Sequence, residues 1–144
     1  MVKIIDVKEQ YYDKLYDIHR LVMPVNDQMT KECFMDEFKM QSRQYFVAID
    51  SYENALGYIG LFDCDEDFNI IGIATLEKGK GIGSQLIDAS IDYARKLGKK
   101  SLSLEVDENN LPAIRFYEKH HFVTVARRKN YYKTSDALIM FLYL

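Results

Sequence analysis

The stretch "EKGKGIGSQLI", Glu77 to Ile87, gathers Gly79, Gly81 and Gly83 out of only seven glycines in the chain, immediately before an amphipathic helical pattern. Glycine is costly to order and brings no side chain, so its clustering ahead of a helix predicts bare backbone approaching something closely. Upstream, "FNIIGIATL" (Phe68 to Leu76) is apolar at nearly every position, as expected of a strand buried on both faces. Downstream, Ile82, Leu86, Ser90, Tyr93 and Leu97 mark one helical face, and Gly98 is a natural C-terminal stop. Strand, glycine loop and helix form the layout of an anion site. The first-turn amides of a helix point outward unpaired, and glycines let a phosphate settle on them without meeting β-carbons. A tight turn without a ligand is the competing reading of such a trio.

Working outward, the remaining segments alternate between extended and helical patterns without repeats or linkers. "VKIIDV" reads as a first strand, and "QYYDKLYDIHRLVM" places Tyr12, Leu15, Ile18 and Val22 at helical spacing. Pro24 and the polar residues after it interrupt that helix, and Thr30 has the character of an N-cap for "KECFMDEFKM". Two strands, "YFVAID" and "ALGYIGLFD", flank the turn residues Ser51 to Asn54. The acidic run Asp63 to Asp67 lacks the spacing of a calcium loop and reads as a solvated hairpin tip.

Composition narrows the function. A chain of 144 residues, 48% of them hydrophobic, is expected to form a single domain, residues 1–144, with a real core. Cys33 and Cys64 lie far apart without a CxxC partner or a nearby histidine pair, so neither a disulfide framework nor a metal site is expected, and a reducing, cytoplasmic setting fits. No stretch reaches the roughly 20 apolar residues of a membrane span, and the N-terminus does not have the pattern of a signal peptide. A net charge of −3 argues against nucleic acid as a partner and suits a cationic small molecule or basic peptide.

Spacing separates the phosphate-binding motifs. A P-loop requires GxxxxGK[ST], and no Lys-Ser or Lys-Thr stands directly after the last glycine of the loop. A dinucleotide fingerprint requires GxGxxG in a first βαβ unit, whereas Gly79, Gly81 and Gly83 give GxGxG late in the chain. Lys78-x-x-Gly81-x-Gly83 instead resembles the [Q/R]xxGx[G/A] pyrophosphate loop of the GCN5-related N-acetyltransferases, with lysine in place of glutamine or arginine. Asn110-x-x-Ala113, Pro112 and Phe116-Tyr117-Glu118 resemble the second half of the same superfamily's cofactor site. "RRKNYYKTSDALIMFL" (Arg127 to Leu142) resembles the closing hairpin of the ribosomal-protein-alanine, or RimI-type, N-acetyltransferases. The resemblance covers nearly the whole chain and is firmest from about Asn69 onward.

Moving an acetyl group from a thioester to an amine needs a neutral amine, a polarised carbonyl and a proton for the departing thiolate. An N-terminal amine, with a pKa of about 7.7–8.0, is largely protonated at neutral pH, so a base is useful. Glu105 is the candidate base: with Ser101 and Ser103 it breaks an apolar strand on one face, although a strand glutamate on a solvated face gives the same pattern. Tyr117 is the candidate acid, because a phenol of pKa near 10 keeps its proton at neutral pH. Its helical neighbours Ala113 and Phe116 are equally compatible with core packing. The resemblance implies the catalytic role for both residues. Asn110 reads as a helix cap, and the resemblance adds a contact to coenzyme A.

The resemblance further implies acetyl-CoA as cosubstrate, without a metal. Its pantetheine arm would pair along Ile71, Gly72, Ile73, Ala74 and Thr75, and its pyrophosphate would rest on Lys78, Gly79, Lys80, Gly81, Ile82, Gly83 and Ser84, with Asn110 and Ala113 opposite. The implied acceptor is the N-terminal alanine of a ribosomal protein, in a groove formed by Met23–Gln28 and Asn130–Asp136. Pro24, Asn26, Asn130 and Tyr131 are the candidate contacts there. Tyr131 and Tyr132 are equally open to cross-strand packing. His121 stands where the family usually has glycine, which predicts a histidine at positive φ; neither His120 nor His121 is expected to be catalytic.

The expected architecture is an α/β domain with a mixed, mostly antiparallel sheet of six or seven strands and about four helices. The sheet would be splayed between Asn69–Leu76 and Ser101–Val106, and the protein would be a monomer or homodimer. Transfer would be direct, since neither cysteine is near the inferred site in sequence. The same fold acting on a small amine (a polyamine, an antibiotic or an amino acid), a non-catalytic acyl-CoA-binding module and a nucleotide-binding domain are the competing functions.

Overall fold

The structure, a computed structural model, describes residues 1–144. Seven strands, β1 (Lys3–Asp6), β2 (Arg43–Ile49), β3 (Ala55–Cys64), β4 (Asp67–Thr75), β5 (Ser101–Asp107), β6 (Val123–Tyr132) and β7 (Ser135–Tyr143), form one sheet in the order β1-β2-β3-β4-β5-β7-β6. Helices α1 (Tyr12–Val22), α2 (Lys31–Glu37), α3 (Ile82–Lys96) and α4 (Leu111–Lys119) complete the expected α/β layout. Only β4 and β5 run parallel, because α3 carries the chain across the sheet between them.

The sheet separates two apolar layers. Leu86 and Ile87 of α3 and Tyr117 of α4 pack with Phe68, Leu102, Leu104 and Phe122 on one face. Leu15 and Ile18 of α1 and Phe34 of α2 pack with Tyr45, Val47 and Tyr58 on the other. Each fully buried Leu or Ile in these layers contributes about 1.5–3 kcal/mol relative to exposure. The Thr30 hydroxyl accepts the Cys33 amide at 3.2 Å, as expected of the N-cap of α2. Gly98 (φ 72°) ends the α3 segment, and His121 takes the predicted positive φ, 72°.

Two expectations need correction. Leu97 does not join the buried face of α3: it is 53% exposed, because that helix buries Ile82, Leu86, Ile87, Ser90 and Ala94. Nor is β4 buried on both faces. Phe68, Ile70 and Ala74 are buried, while Ile71, Gly72 and Ile73 are only partly covered.

The physical reason lies in the pairing. β4 pairs with β5 only at Asp67–Ser101, Phe68–Leu102 and Asn69–Ser103, after which the strands part. Gly60 of β3 pairs with Gly72 and Leu61 with Ile70, so Ile71 is an extra residue, a β-bulge that bends β4 away from β5 where contact is lost. Ser103 pins the last joined residues: its buried hydroxyl donates to Asp67 Oδ2 at 2.6 Å and accepts from Asn69 Nδ2 at 3.2 Å. No helix is long and apolar enough to cross a membrane.

Candidate active site between the two parallel strands

A cavity of about 680 Å³ occupies the gap opened by the parting of β4 and β5. Ile71, Gly72, Ile73 and Thr75 line it from β4, and the whole loop from Lys78 to Ser84 lines it at the start of α3. Asn110, Ala113 and Tyr117 line it from the α4 segment, Glu105 from β5, and Pro24 from the α1–α2 connection. Predicted residues spread from Pro24 to Tyr117 therefore share one space.

The glycine loop has the properties of an anion cradle. None of the backbone amides from Glu77 through Ser84 donates to a backbone carbonyl, and the helical ladder begins with Gln85 bonding Gly81. Gly81, the N-cap of α3, sits at φ 75°, and a β-carbon there or at Gly79 would project into open space. This array of free donors, reinforced by the helix dipole, fits a diphosphate. Lys78 and Lys80 add positive charge beside it.

At α4 the Asn110 side chain caps the helix by accepting the Ala113 amide at 3.3 Å, with Pro112 in the first turn. This holds Tyr117, two turns along, at the cavity. Tyr117 is only 7% exposed and packs on Phe116 and Phe122. Burial pushes its phenol above the ordinary value, and the neighbouring Asp27 charge pushes in the same direction. The phenol thus keeps its proton at neutral pH and can donate it. Glu105 is more open, at 28% side-chain exposure, and lies 3.6 Å from an Arg128 guanidinium nitrogen. That guanidinium also stands 5.2 Å from the centre of the Tyr131 ring. The neighbouring Glu105 carboxylate raises the Tyr131 phenol, with burial acting the same way.

Not every predicted residue meets the cavity. Ala74 points its side chain into the opposite core, so only its backbone can serve a ligand. Asn26 is exposed and does not line the cavity. Asn130 (φ 54°) is exposed too, and its amide donates to Asp136 Oδ1 at 2.8 Å, a structural task at the irregular end of β6. Tyr131 approaches Glu105 without lining the cavity, and its ring meets that of Tyr132 edge-on at 5.0 Å.

Three participants were not singled out as site residues from the sequence. Asp27 lines the cavity from the connection between α1 and α2; in sequence it is one polar residue among several. Phe116 closes in on Gly83, where a β-carbon would stand 3.1 Å from its ring. His120, for which no catalytic role is expected, is partly buried, with Nε2 2.9 Å from the Ser84 hydroxyl. No grouping of three or more His, Cys, Asp or Glu side chains suited to a metal is found.

Comparison with known proteins agrees with this geometry. A Bacillus subtilis (strain 168) protein carrying the provisional name of a ribosomal protein bS18-alanine N-acetyltransferase is 30% identical over 115 residues, 77% of this chain and 76% of the relative. The crystal structure of the ribosomal-protein-S18-alanine N-acetyltransferase from Escherichia coli superposes with a TM-score of 0.88 at 23% identity, covering 99% of this chain and 94% of that one. Arabidopsis thaliana NAA60 in complex with acetyl-CoA superposes at 0.87 with 18% identity, covering 100% of this chain and 99% of that one. The model of the acetyltransferase (GNAT) family matches residues 10–122. The seven-stranded sheet, parted at β4 and β5 around a glycine loop, is thus the framework of an acyltransferase, and the chain belongs to the acetyltransferase (GNAT) family.

Proposed function

We propose that the 144 residues form one N-acetyltransferase domain that moves an acetyl group from acetyl-CoA directly to a primary amine, most plainly the N-terminal alanine of a ribosomal or similar protein. The setting would be the cytoplasm, where ribosomal proteins are made. The observation that carries this reading is the run of unpaired amides from Glu77 to Ser84, opening into the same cavity as Glu105 and Tyr117. Family membership supports the reaction class, and the names of the Bacillus and Escherichia proteins support the acceptor class.

Acetyl-CoA, bound with its phosphates on the loop amides, would supply the activated acyl group. Glu105 takes one proton from the acceptor ammonium, directly or through water, which frees the nitrogen lone pair for attack on the acyl carbon. As the carbon–sulfur bond breaks, Tyr117 gives its proton to the sulfur. The nitrogen loses a second proton, which restores the phenol. The sum is amide, free thiol and one proton released from Glu105 to solvent. Positioned acid or base groups of this kind contribute about 10²–10⁴-fold each.

The test is calorimetric titration with acetyl-CoA, followed by thiol release with an alanine-initiated peptide. Tyr117→Phe and Glu105→Gln are expected to bind acetyl-CoA as the native chain does and to lose turnover. An equal loss of cofactor affinity and turnover in Tyr117→Phe would reduce that residue to packing.

A further inference from the structure

Asp27 is a carboxylate without a cation. It ends the short helical turn Val25–Asp27, lines the cavity, and takes part in none of the protein's ion pairs. Burial raises its carboxyl above the ordinary range and the nearby Asp107 charge adds to the rise, against the pull of the neighbouring Tyr132 phenol. Glu105, on the β5 wall of the same cavity, differs because Arg128 already stands beside it. Tyr117, nine-tenths buried, supplies the other sign that a ligand belongs here. Its phenol enters none of the protein's hydrogen bonds, yet its oxygen is not sealed off, so it opens into the cavity.

A partly buried carboxylate facing a cavity without a counter-charge is held at a cost that an arriving cation removes. The reacting amine arrives as an ammonium but must give its proton to Glu105 before attack, and a second carboxylate that held it charged would stabilise the ground state, so Asp27 suits a different cation. We propose that Asp27 is a specificity residue that docks a second positive charge of the acceptor, so that the preferred substrates are peptides with Lys or Arg within the first few residues after the reacting N-terminus, or diamines. This rests on the acetyl-transfer reading above.

The experiment compares thiol release with alanine-initiated peptides that carry Lys, Arg or a neutral residue at the second and third positions, at low and high salt. Acetyl-CoA affinity is measured alongside. The native chain is expected to favour the cationic peptides through a lower KM by about tenfold, the scale of one charge-assisted hydrogen bond, with the preference shrinking in salt. Asp27→Asn should abolish the preference while acetyl-CoA affinity stays the same, and Asp27→Glu should restore much of it. An equal loss on neutral and cationic peptides in Asp27→Asn would make the residue structural and overturn the inference, as would a native chain that turns over both peptide classes alike. A native chain that binds acetyl-CoA and acetylates no amine would refute the transfer reading itself, and the inference with it.

Discussion

The Oγ of Ser84 lies 2.9 Å from Nε2 of His120, so the first turn of α3 is tied to the residue that caps the C-terminus of α4. The His120 ring also packs on Phe116, with centroids 4.8 Å apart. The element that offers amides to a diphosphate is thereby fixed to the helix that carries Tyr117. Burial holds the His120 imidazole below its ordinary pKa, so at neutral pH it is uncharged and acts through this bond and its packing.

Removing that tie should loosen the register between cofactor and acid. His120→Ala is expected to cost about 1 kcal/mol, the typical value of one hydrogen bond, visible as a melting temperature lower by a few degrees. Turnover should fall more than acetyl-CoA affinity, since the loop amides remain while the phenol drifts. Unchanged kinetics with the expected drop in stability would mean that the tie serves folding alone.

Gly81 and Gly83 are required for different reasons, and their alanine variants should fail differently. At Gly81 a β-carbon meets nothing within 4 Å, but φ is 75°, so alanine costs about 1–2 kcal/mol of backbone strain and places a methyl where the ligand would lie. Gly81→Ala should lose acetyl-CoA affinity in calorimetry. At Gly83 a β-carbon would stand 3.1 Å from Phe116 Cζ and 3.2 Å from Cε1. Gly83→Ala must therefore push the Phe116 ring back by a few tenths of an ångström, one residue from Tyr117, and its larger defect should be in turnover.

The Ser103 hydroxyl holds β4 and β5 together just before they part. Ser103→Ala removes the donor to Asp67 and the acceptor for Asn69, a loss of about 1–3 kcal/mol if neither finds water. Denaturant unfolding should show a lower midpoint with little change in slope. Hydrogen exchange at the β4–β5 junction should rise first, because three residue pairs are all that join those strands. Protection there equal to the native chain's would assign the junction to the strands alone.

Much of this site was legible because backbone conformation leaves marks in sequence. The glycines at 79 and 81, the cap at Asn110 and the interrupted helix at Pro24 each constrain φ or a terminal hydrogen bond, and each appears where expected. What escaped is carried by side chains that meet only in three dimensions. Asp27 and Tyr132 are about a hundred residues apart, and nothing in either local pattern distinguishes a cavity carboxylate from a solvated one. The misreading of β4 has a related cause: an apolar run looks the same whether a neighbouring strand or a ligand cavity covers it. The bulge at Ile71, which decides between the two, is a matter of pairing register with β3.

His19 makes the wall that carries Asp27 sensitive to acid. Its Nε2 accepts the Met29 amide at 2.8 Å, so that nitrogen has no proton, and Nδ1 donates to the Tyr58 hydroxyl at 2.8 Å. The ring is buried among Tyr16, Phe34 and Tyr58, and burial lowers its pKa from the ordinary 6.5. The unfolded chain therefore binds a proton at this histidine below pH 6.5 that the folded chain resists, and stability must fall as pH drops through 6.5 until the folded form also protonates. His120, lowered as well, adds to the slope with the same sign. His19→Gln keeps a neutral polar group without the titration. It should be less stable than the native chain near neutral pH, yet lose less stability on acidification to about pH 5.5. Chemical denaturation at both pH values measures the difference. Equal losses in the two proteins would mean that His19 does not titrate across this range in the unfolded chain alone. Because the bond to Met29 holds the end of the α1–α2 connection, native acceptor KM should rise only at the lower pH where the folded form itself takes up the proton, while acetyl-CoA affinity changes less.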